Sequence, residues 1–168
     1  RESFASDPYG RNFLGTPPQG RADYAFIQHI LKSMDPKSGR CAILLPHGVL
    51  FRNEESEMRE KLVRSDLVEA VIGLGANLFF NSPMEACILI CRSEKAPNRR
   101  KEILFVDASA EVTRKNAQSY LEPRHIQRIV EAYRSDEDIE GFSSHASFSK
   151  IEDNAFSLSI PLYVKPSD

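Results

Sequence analysis

The chain has 168 residues, of which 41% are hydrophobic and 27% charged, a balance typical of a globular fold and not of a disordered one. Its formal net charge of −2 lacks the basic excess of a freestanding nucleic-acid binder, so any contact with DNA should be local or shared with a partner. No apolar run approaches the roughly 20 residues that cross a bilayer, and no signal peptide opens the sequence, which favours a cytoplasmic protein without membrane contact.

The first elements in chain order are a loop, a helix and a strand. Residues 1–21 are rich in proline and glycine, which predicts a loop. A helix follows, because Asp23 suits a first turn and the next apolar residues recur at helical spacing: Tyr24, Ile27, Leu31 and Met34. The continuous apolar run RCAILLP, which ends at Pro46, then predicts a strand covered on both faces.

A second helix is predicted over residues 54–65, where Glu55/Arg59 is one of several favourable i, i+4 ion pairs. A strand at 67–73 follows it. Because a helix links the strands at 40–45 and 67–73, they are predicted to form a parallel pair. The short link to the next strand, at 86–91, predicts that this one runs antiparallel to 67–73.

The remaining segments predict a fourth strand in KEILFVDAS, a third helix near Pro123 and an extended tail in FSKIEDNAFSLSIPLYV. The three cysteines show no Cys-x-x-Cys or Cys/His spacing, so no metal site is expected. Cys87 and Cys91 share a face of one strand but lie too far apart along it to bridge, and Cys41 lies on another apolar run. All three are predicted to be buried, reduced thiols.

The order of these segments resembles the methylation (M) subunit of type I restriction-modification systems. The resemblance is carried by ADYAFIQHIL, SGRCAILLPHGVLFR, EMREKLVRSDLVEAVIGLGANLFFNSPMEACILI, KEILFVDAS and YLEPRHIQRIVEAYRS. It implies an α/β fold: the second half of a Rossmann-like S-adenosylmethionine-dependent methyltransferase sheet, with the fifth, sixth and antiparallel seventh strands, plus a C-terminal extension. Residues 1–110 would form the later half of the catalytic domain. Residues 111–168 would form the C-terminal helix and tail of the same subunit.

The segment GTPPQGRADYAF matches a family segment that lies downstream of the catalytic Asn-Pro-Pro-Phe loop. Thr16 stands where the catalytic loop has its Asn carboxamide, and Gln19 stands where that loop has its aromatic ring, so no catalytic residue is expected in this chain. The Gly-rich loop that receives S-adenosylmethionine is absent as well, and no residue is assigned to the cofactor. We therefore expect a fragment that does not methylate by itself.

For the intact subunit, the resemblance implies methylation of the exocyclic amine of adenine in duplex DNA with S-adenosylmethionine as cofactor. The implied partners are duplex DNA, a specificity subunit, a second M subunit and a restriction motor subunit. An alternative is that the chain serves as a non-catalytic docking module for a specificity or M subunit.

Two sets of residues are candidates for the pocket that holds the substrate base. Pro46, His47 and Gly48 follow a predicted parallel strand, where open α/β sheets place ligands. The alternative is that they only shape a turn. By resemblance, Phe79 or Phe80 contacts the extruded adenine, for which an aromatic ring is well suited; the alternative is core packing.

Two further motifs have a functional and a structural interpretation. Arg99, Arg100 and Lys101 stand in EKAPNRRK, the densest basic run, and are candidates for contacts with DNA phosphates. The alternative is a solvated loop. Gly73 and Gly75 form a Gly-x-Gly that leads into an apolar loop instead of a helix, which argues against a phosphate site.

Overall fold

The computed structural model of the protein describes residues 22–78, 85–116 and 118–167. Within them lie a five-stranded sheet and a separate two-stranded hairpin. The strands are β1 (Arg40–Pro46), β2 (Val68–Leu74), β3 (Ala86–Arg92), β4 (Glu102–Ala108), β5 (Thr113–Lys115), β6 (Gln118–Tyr120) and β7 (Ser143–Ser147). The α-helices are α1 (Asp23–Ser33), α2 (Ser56–Arg64), α3 (Pro123–Arg134) and α4 (Phe148–Asp153). Short 3-10 turns cover His47–Leu50, Asn53–Glu55, Pro97–Arg99 and Ile160–Leu162.

The strand order of the large sheet is β1-β3-β2-β4-β7. β3 runs antiparallel to β2, as predicted, and is also antiparallel to β1, so β1 and β2 point in the same direction. The prediction that β1 and β2 form a pair is wrong, because β3 lies between them. The α2 crossover leaves room for one strand, and the short link after β2 returns β3 into that space. β4 then pairs in parallel with β2, and β7 pairs with β4 in the antiparallel sense.

The sheet has an apolar layer on each face. On one face, α1, α2 and α4 pack against alternate residues of the strands, among them Ile43, Leu89 and Phe105. On the other face, α3 contributes Ala132 to a smaller cluster over β2 and β4. The three longer helices thus occur where the apolar spacing predicts them.

β1 is covered on one face only, which corrects the prediction of a strand buried on both. Ile43 and Leu45 are buried, whereas Ala42 is exposed and Leu44 is 50% exposed. β1 is the edge strand of the sheet, and α3 lies over β2 and β4 on the far side. A run of apolar residues cannot reveal this difference, because β2, which is buried throughout, has the same character.

The C-terminal segment departs most from the sequence-based expectation. The predicted extended tail is wrong: residues 148–153 form α4, and the Ser147 side chain caps it by accepting a hydrogen bond from the Lys150 amide at 3.3 Å. After a 3-10 turn, the Tyr163 ring stacks on Phe105 of β4 with a centroid distance of 4.0 Å. The polar strand β7 was not predicted, although it extends the sheet beside β4.

None of the helices in the described ranges is long and apolar enough to cross a membrane. In the same ranges, no cluster of three or more His, Cys, Asp and Glu side chains could hold a metal ion.

Candidate functional site

The strands β1, β2 and β4 end at the same edge of the sheet, at Pro46, Leu74 and Ala108. This is the edge at which open α/β sheets place ligands. Of the predicted base-pocket residues, Pro46, His47 and Gly48 lie together here, at the point where β1 passes into a 3-10 turn. We call residues 46–52 the β1 turn.

His47 is anchored to the start of β3. Its amide donates a hydrogen bond to the Glu85 carbonyl at 3.2 Å, which continues the β1–β3 ladder by one pair. The ring Nδ1 lies 3.6 Å from a Glu85 carboxylate oxygen, too far for a good hydrogen bond, and finds no other partner in the described part of the chain. The ring packs at 5.9 Å from that of Phe51, which is 48% exposed. This turn therefore presents aromatic ring surface, and it lacks the oriented base of a proton relay.

Gly48 lets the backbone of the β1 turn approach the Arg52 side chain. The Gly48 carbonyl accepts hydrogen bonds from the amides of Phe51 at 3.1 Å and Arg52 at 3.0 Å. A Cβ atom at position 48 would lie 3.1 Å from Nη1 of Arg52, tighter than an ordinary contact. The guanidinium would have to shift to accept it.

Arg52 links three elements through two carboxylates. Its Nη2 lies 2.5 Å from Asp23 at the start of α1, and its Nε lies 2.9 Å from Glu55, just before α2. Burial lowers the pKa of the Arg52 guanidinium, but the two carboxylates outweigh burial, and the net shift of this pKa is upward. The predicted Glu55/Arg59 ion pair is wrong, because Glu55 pairs with Arg52 across the turn.

Two buried side chains hold the backbone of the β1 turn. The Tyr24 hydroxyl donates to the Val49 carbonyl at 3.0 Å, and burial raises the pKa of this phenol. Arg59, 2% exposed, donates to the carbonyls of Arg52 at 2.9 Å and of Phe156 at 3.0 Å. The sequence pattern indicated no role at the site for either residue. The only available signal was a tyrosine in the apolar stripe of α1.

The predicted aromatic residues Phe79 and Phe80 lie outside the described residues. The loop that carries them leaves the same edge of the sheet, from the end of β2. Its base is held by the β5–β6 hairpin: the Asn77 carbonyl accepts hydrogen bonds from the Ser119 amide at 3.0 Å and from the Gln118 side chain at 2.7 Å. This clamp was not predicted, because β5 and β6 are short and polar.

The two glycines at the end of β2, Gly73 and Gly75, allow neighbouring parts of the chain to pack closely against the backbone. A Cβ at Gly73 would lie 2.6 Å from Cδ1 of Ile160 in the C-terminal segment. At Gly75 it would lie 2.7 Å from the Ser109 carbonyl oxygen. Neighbouring protein atoms fill both positions, so this Gly-x-Gly offers no cradle for a phosphate or a cofactor.

The candidate phosphate contacts lie at the opposite edge of the sheet, on the loop between β3 and β4. Arg99 is fully engaged within the protein: it donates to the Ser135 carbonyl at 2.7 Å, pairs with Asp136 at 3.0 Å and contacts His145 at 2.7 Å. Arg100 and Lys101 are exposed. The structure therefore does not bring these residues together with the β1 turn, and a role in binding phosphate stays a prediction.

The histidines in the C-terminal region make structural hydrogen bonds. His125 accepts from the Glu122 amide at 3.0 Å and completes a capping box at the start of α3. His145 lies between Asp138 at 2.8 Å and the Arg99 guanidinium. Because arginine only donates, Nε2 of His145 accepts, and its Nδ1 proton is directed at Asp138.

The sequence model of the N-6 DNA methylase family matches residues 1–168, the whole chain. The chain belongs to this family. The methylase subunit of the type I restriction enzyme MjaVII from Methanocaldococcus jannaschii is 37% identical over 90% of the chain. The corresponding subunit of HindI from Haemophilus influenzae is 32% identical over 97% of it. The resemblance identified from the sequence is thereby confirmed.

A solved structure agrees with this N-6 DNA methylase fold. The methyltransferase subunit of a type I restriction-modification system from Streptococcus thermophilus superposes with a TM-score of 0.89 and 38% identity over 98% of the chain. The predicted fold class is therefore confirmed. The chain spans 26% of the MjaVII subunit, 38% of the HindI subunit and 35% of the S. thermophilus chain, so it corresponds to about a third of such a subunit.

Proposed function

We propose that this chain is part of the M subunit of a type I restriction-modification system, which methylates the exocyclic amine of adenine in duplex DNA. The observation that carries the proposal is the family match over the whole chain, together with relatives and a solved structure that are themselves type I methylase subunits. The proposed partners are those that the family resemblance implies: duplex DNA, a specificity subunit, a second M subunit and a restriction motor subunit. A DNA substrate also favours the cytoplasm as location.

Within that subunit, we assign to this chain one wall of the pocket for the flipped adenine. Methyl transfer is an in-line displacement, so holding the amine in position contributes more than a strong base does. The β1 turn and the loop after β2 leave the same edge of the sheet, and both carry aromatic residues. In this proposal a ring face from Phe79 or Phe80 stacks on the base, and the turn at Pro46, His47 and Gly48 helps to exclude water.

S-adenosylmethionine, the proposed cofactor of the intact subunit, would supply the methyl group. The Gly-x-Gly segment at residues 73–75 does not fit it, because the space beside these two glycines is filled by Ile160 and Ser109. We therefore assign none of them to the cofactor, and we propose that the 168-residue chain neither binds it nor methylates by itself. We also propose that the functional division lies near residue 110, with 1–110 serving the catalytic domain and 111–168 supporting it.

The base-pocket proposal is tested in an intact subunit that contains this chain. Replacing both Phe79 and Phe80 with Ala should lower the turnover of adenine methylation by about 5- to 150-fold, since stacking contributes roughly 1–3 kcal/mol per base. Cofactor binding should be unchanged. Phe26→Ala is the matched control, because Phe26 is 53% exposed on α1. If only thermal stability falls while turnover at saturating DNA is unchanged, the two residues belong to the core and the proposal fails.

The proposal on the cofactor needs only the 168-residue chain. Titration calorimetry with S-adenosylmethionine should show no heat of binding. A micromolar Kd, corresponding to about −8 kcal/mol, would instead place a cofactor site within this chain.

A second candidate function, a docking module without catalytic role, is favoured by the open face of β1. Leu44 is 50% exposed there, opposite the half-buried Ile88 of β3. A specificity or M subunit could cover this surface. The two functions are separated by the double phenylalanine variant, because a docking module would lose no methylation when its base-pocket residues are removed.

A further inference from the structure

Cys41 and Cys91 face each other across the edge of the sheet. They are direct partners in the β1–β3 register, and the Cys91 thiol hydrogen-bonds to the Cys41 sulfur. Both are free thiols. The sequence showed only the spacing of Cys87 and Cys91 along one strand, and the pairing arises because β3 folds back beside β1.

The backbone geometry at this pair suits a disulfide. Hydrogen bonds link the ladder pairs Gly39–Ser93 and His47–Glu85 at the two ends of β1. Because such pairs alternate along an antiparallel ladder, Cys41 and Cys91 form a hydrogen-bonded pair, whose Cα atoms lie about 5.5 Å apart. Disulfides span Cα distances of about 4.4–6.8 Å, so the separation of this pair is compatible with a bond between the two sulfurs.

The two thiols differ in access and in acidity. Cys41 is half-buried and lines an open groove of about 490 Å³ beside α1, so small molecules can reach its sulfur. The hydrogen bond from Cys91 lowers the pKa of Cys41 to about 7. Cys91 is 0% exposed, and its hydrogen bond to Cys41, followed by burial, raises its pKa. Cys41 therefore has the properties of an attacking thiolate, and Cys91 those of a resolving thiol held beside it.

We propose that Cys41 and Cys91 are a redox-sensitive pair that a low-molecular-weight disulfide oxidises to a cross-strand disulfide. The Cys41 thiolate attacks oxidised glutathione, forms a mixed disulfide and releases one glutathione thiolate. The Cys91 thiol then loses its proton and attacks the Cys41 sulfur, and the second glutathione leaves as a thiolate. Two protein thiols are oxidised, and one glutathione disulfide is reduced to two thiols.

The disulfide would covalently cross-link the edge strand β1 to the interior strand β3. The closed loop contains the β1 turn, α2, β2 and the segment that carries Phe79 and Phe80. Oxidation would thus restrain the separation of β1 from the sheet while both candidate base-pocket segments remain inside the loop. This inference rests on the pairing, access and acidity of the two thiols and does not depend on the proposed methylation.

The test uses the 168-residue chain with oxidised glutathione at pH 7. The intact mass should fall by two hydrogens, and a thiol reductant should restore it. Cys87→Ser is the matched control on the same strand and should still form the disulfide. Cys91→Ser should stop at a mixed disulfide with one glutathione, whereas Cys41→Ser should remain unmodified because the other two sulfurs are buried.

Comparing the rate of disulfide formation in the native and the urea-unfolded chain tests whether the native fold promotes the bond. Native chain should form the disulfide several-fold faster than the same chain in urea, because the fold holds Cys91 opposite Cys41 and lowers the pKa of the Cys41 thiol. Circular dichroism identifies any variant that fails to fold, and Ala then replaces Ser at that position. The proposal is overturned if the native chain stops at the glutathione adduct, if the bond includes Cys87, if only dimers form, or if urea does not slow the reaction.

Discussion

Replacing Arg52 with Leu is expected to destabilise the chain by about 3–5 kcal/mol, the usual consequence of leaving one partner of a buried ion pair without the other. The Glu55 side chain is 0% exposed. One of its oxygens accepts from Arg52 at 2.9 Å, and the other has no partner among the described residues. Removing the guanidinium would therefore strand a buried carboxylate, whereas Asp23, at 27% exposure, would regain water.

Urea unfolding of the 168-residue chain measures this effect. With an m-value of about 2 kcal/mol/M, the midpoint of Arg52→Leu should fall by about 1.5–2.5 M. Arg64→Leu is the matched control, because the Arg64–Glu60 pair is about half exposed and should contribute only about 0.3–0.5 kcal/mol. The double variant Arg52→Leu/Glu55→Leu should have a urea midpoint close to that of the unchanged chain, because the buried carboxylate is removed together with its partner. If Arg52→Leu lowers the midpoint no more than Arg64→Leu does, the buried-pair argument fails.

Three further outcomes are expected. Gly75→Ala should lower the free energy of unfolding by about 1–3 kcal/mol in urea, because its Cβ would lie 2.7 Å from a backbone oxygen; an unchanged midpoint would contradict this. The exposed edge strand β1 should make the chain self-associate in sedimentation velocity, and Leu44→Lys should reduce this association, since a lysine on an edge strand opposes pairing with a second chain; equal association of the two chains would contradict this. Alkylation of Cys41 should accelerate as pH rises and level off above a midpoint near 7, because only the thiolate reacts and its pKa is lowered to about 7. Mass spectrometry follows this reaction, and a midpoint near 8.5 would indicate an ordinary thiol.

The sequence predicted those elements whose apolar spacing is set by burial against the sheet. The first three long helices and β1 to β4 were found in this way, to within a few residues. β7 was missed because SSHAS has no apolar alternation and gains its place by pairing with β4. α4 was missed because six residues are too few to show a helical period, although the Ser147 cap was a usable signal.

The sequence predicted only those residues of the candidate site whose position follows from their place directly after a strand. Pro46, His47 and Gly48 follow a strand, and the end of a strand is visible in the sequence. The interactions that hold this turn join residues far apart in the chain, such as Arg52 and Asp23, 29 positions away. The i, i+4 spacing of helices instead favoured a Glu55/Arg59 ion pair. In the structure Glu55 pairs with Arg52, and Arg59 donates to the distant Phe156 carbonyl. The Cys41–Cys91 pair likewise depended on the position of β3.

The position of β3 also constrains how the chain can fold during translation. β1 and β2 are made first, but neither can hydrogen-bond to the other across the space that β3 fills. At about 5–20 residues per second, the ribosome needs on the order of 1 s to add the residues between the end of β2 and the end of β3. For that interval the nascent chain carries two apolar strands without a ladder between them. We therefore expect the polypeptide to depend on chaperones during this stage of synthesis.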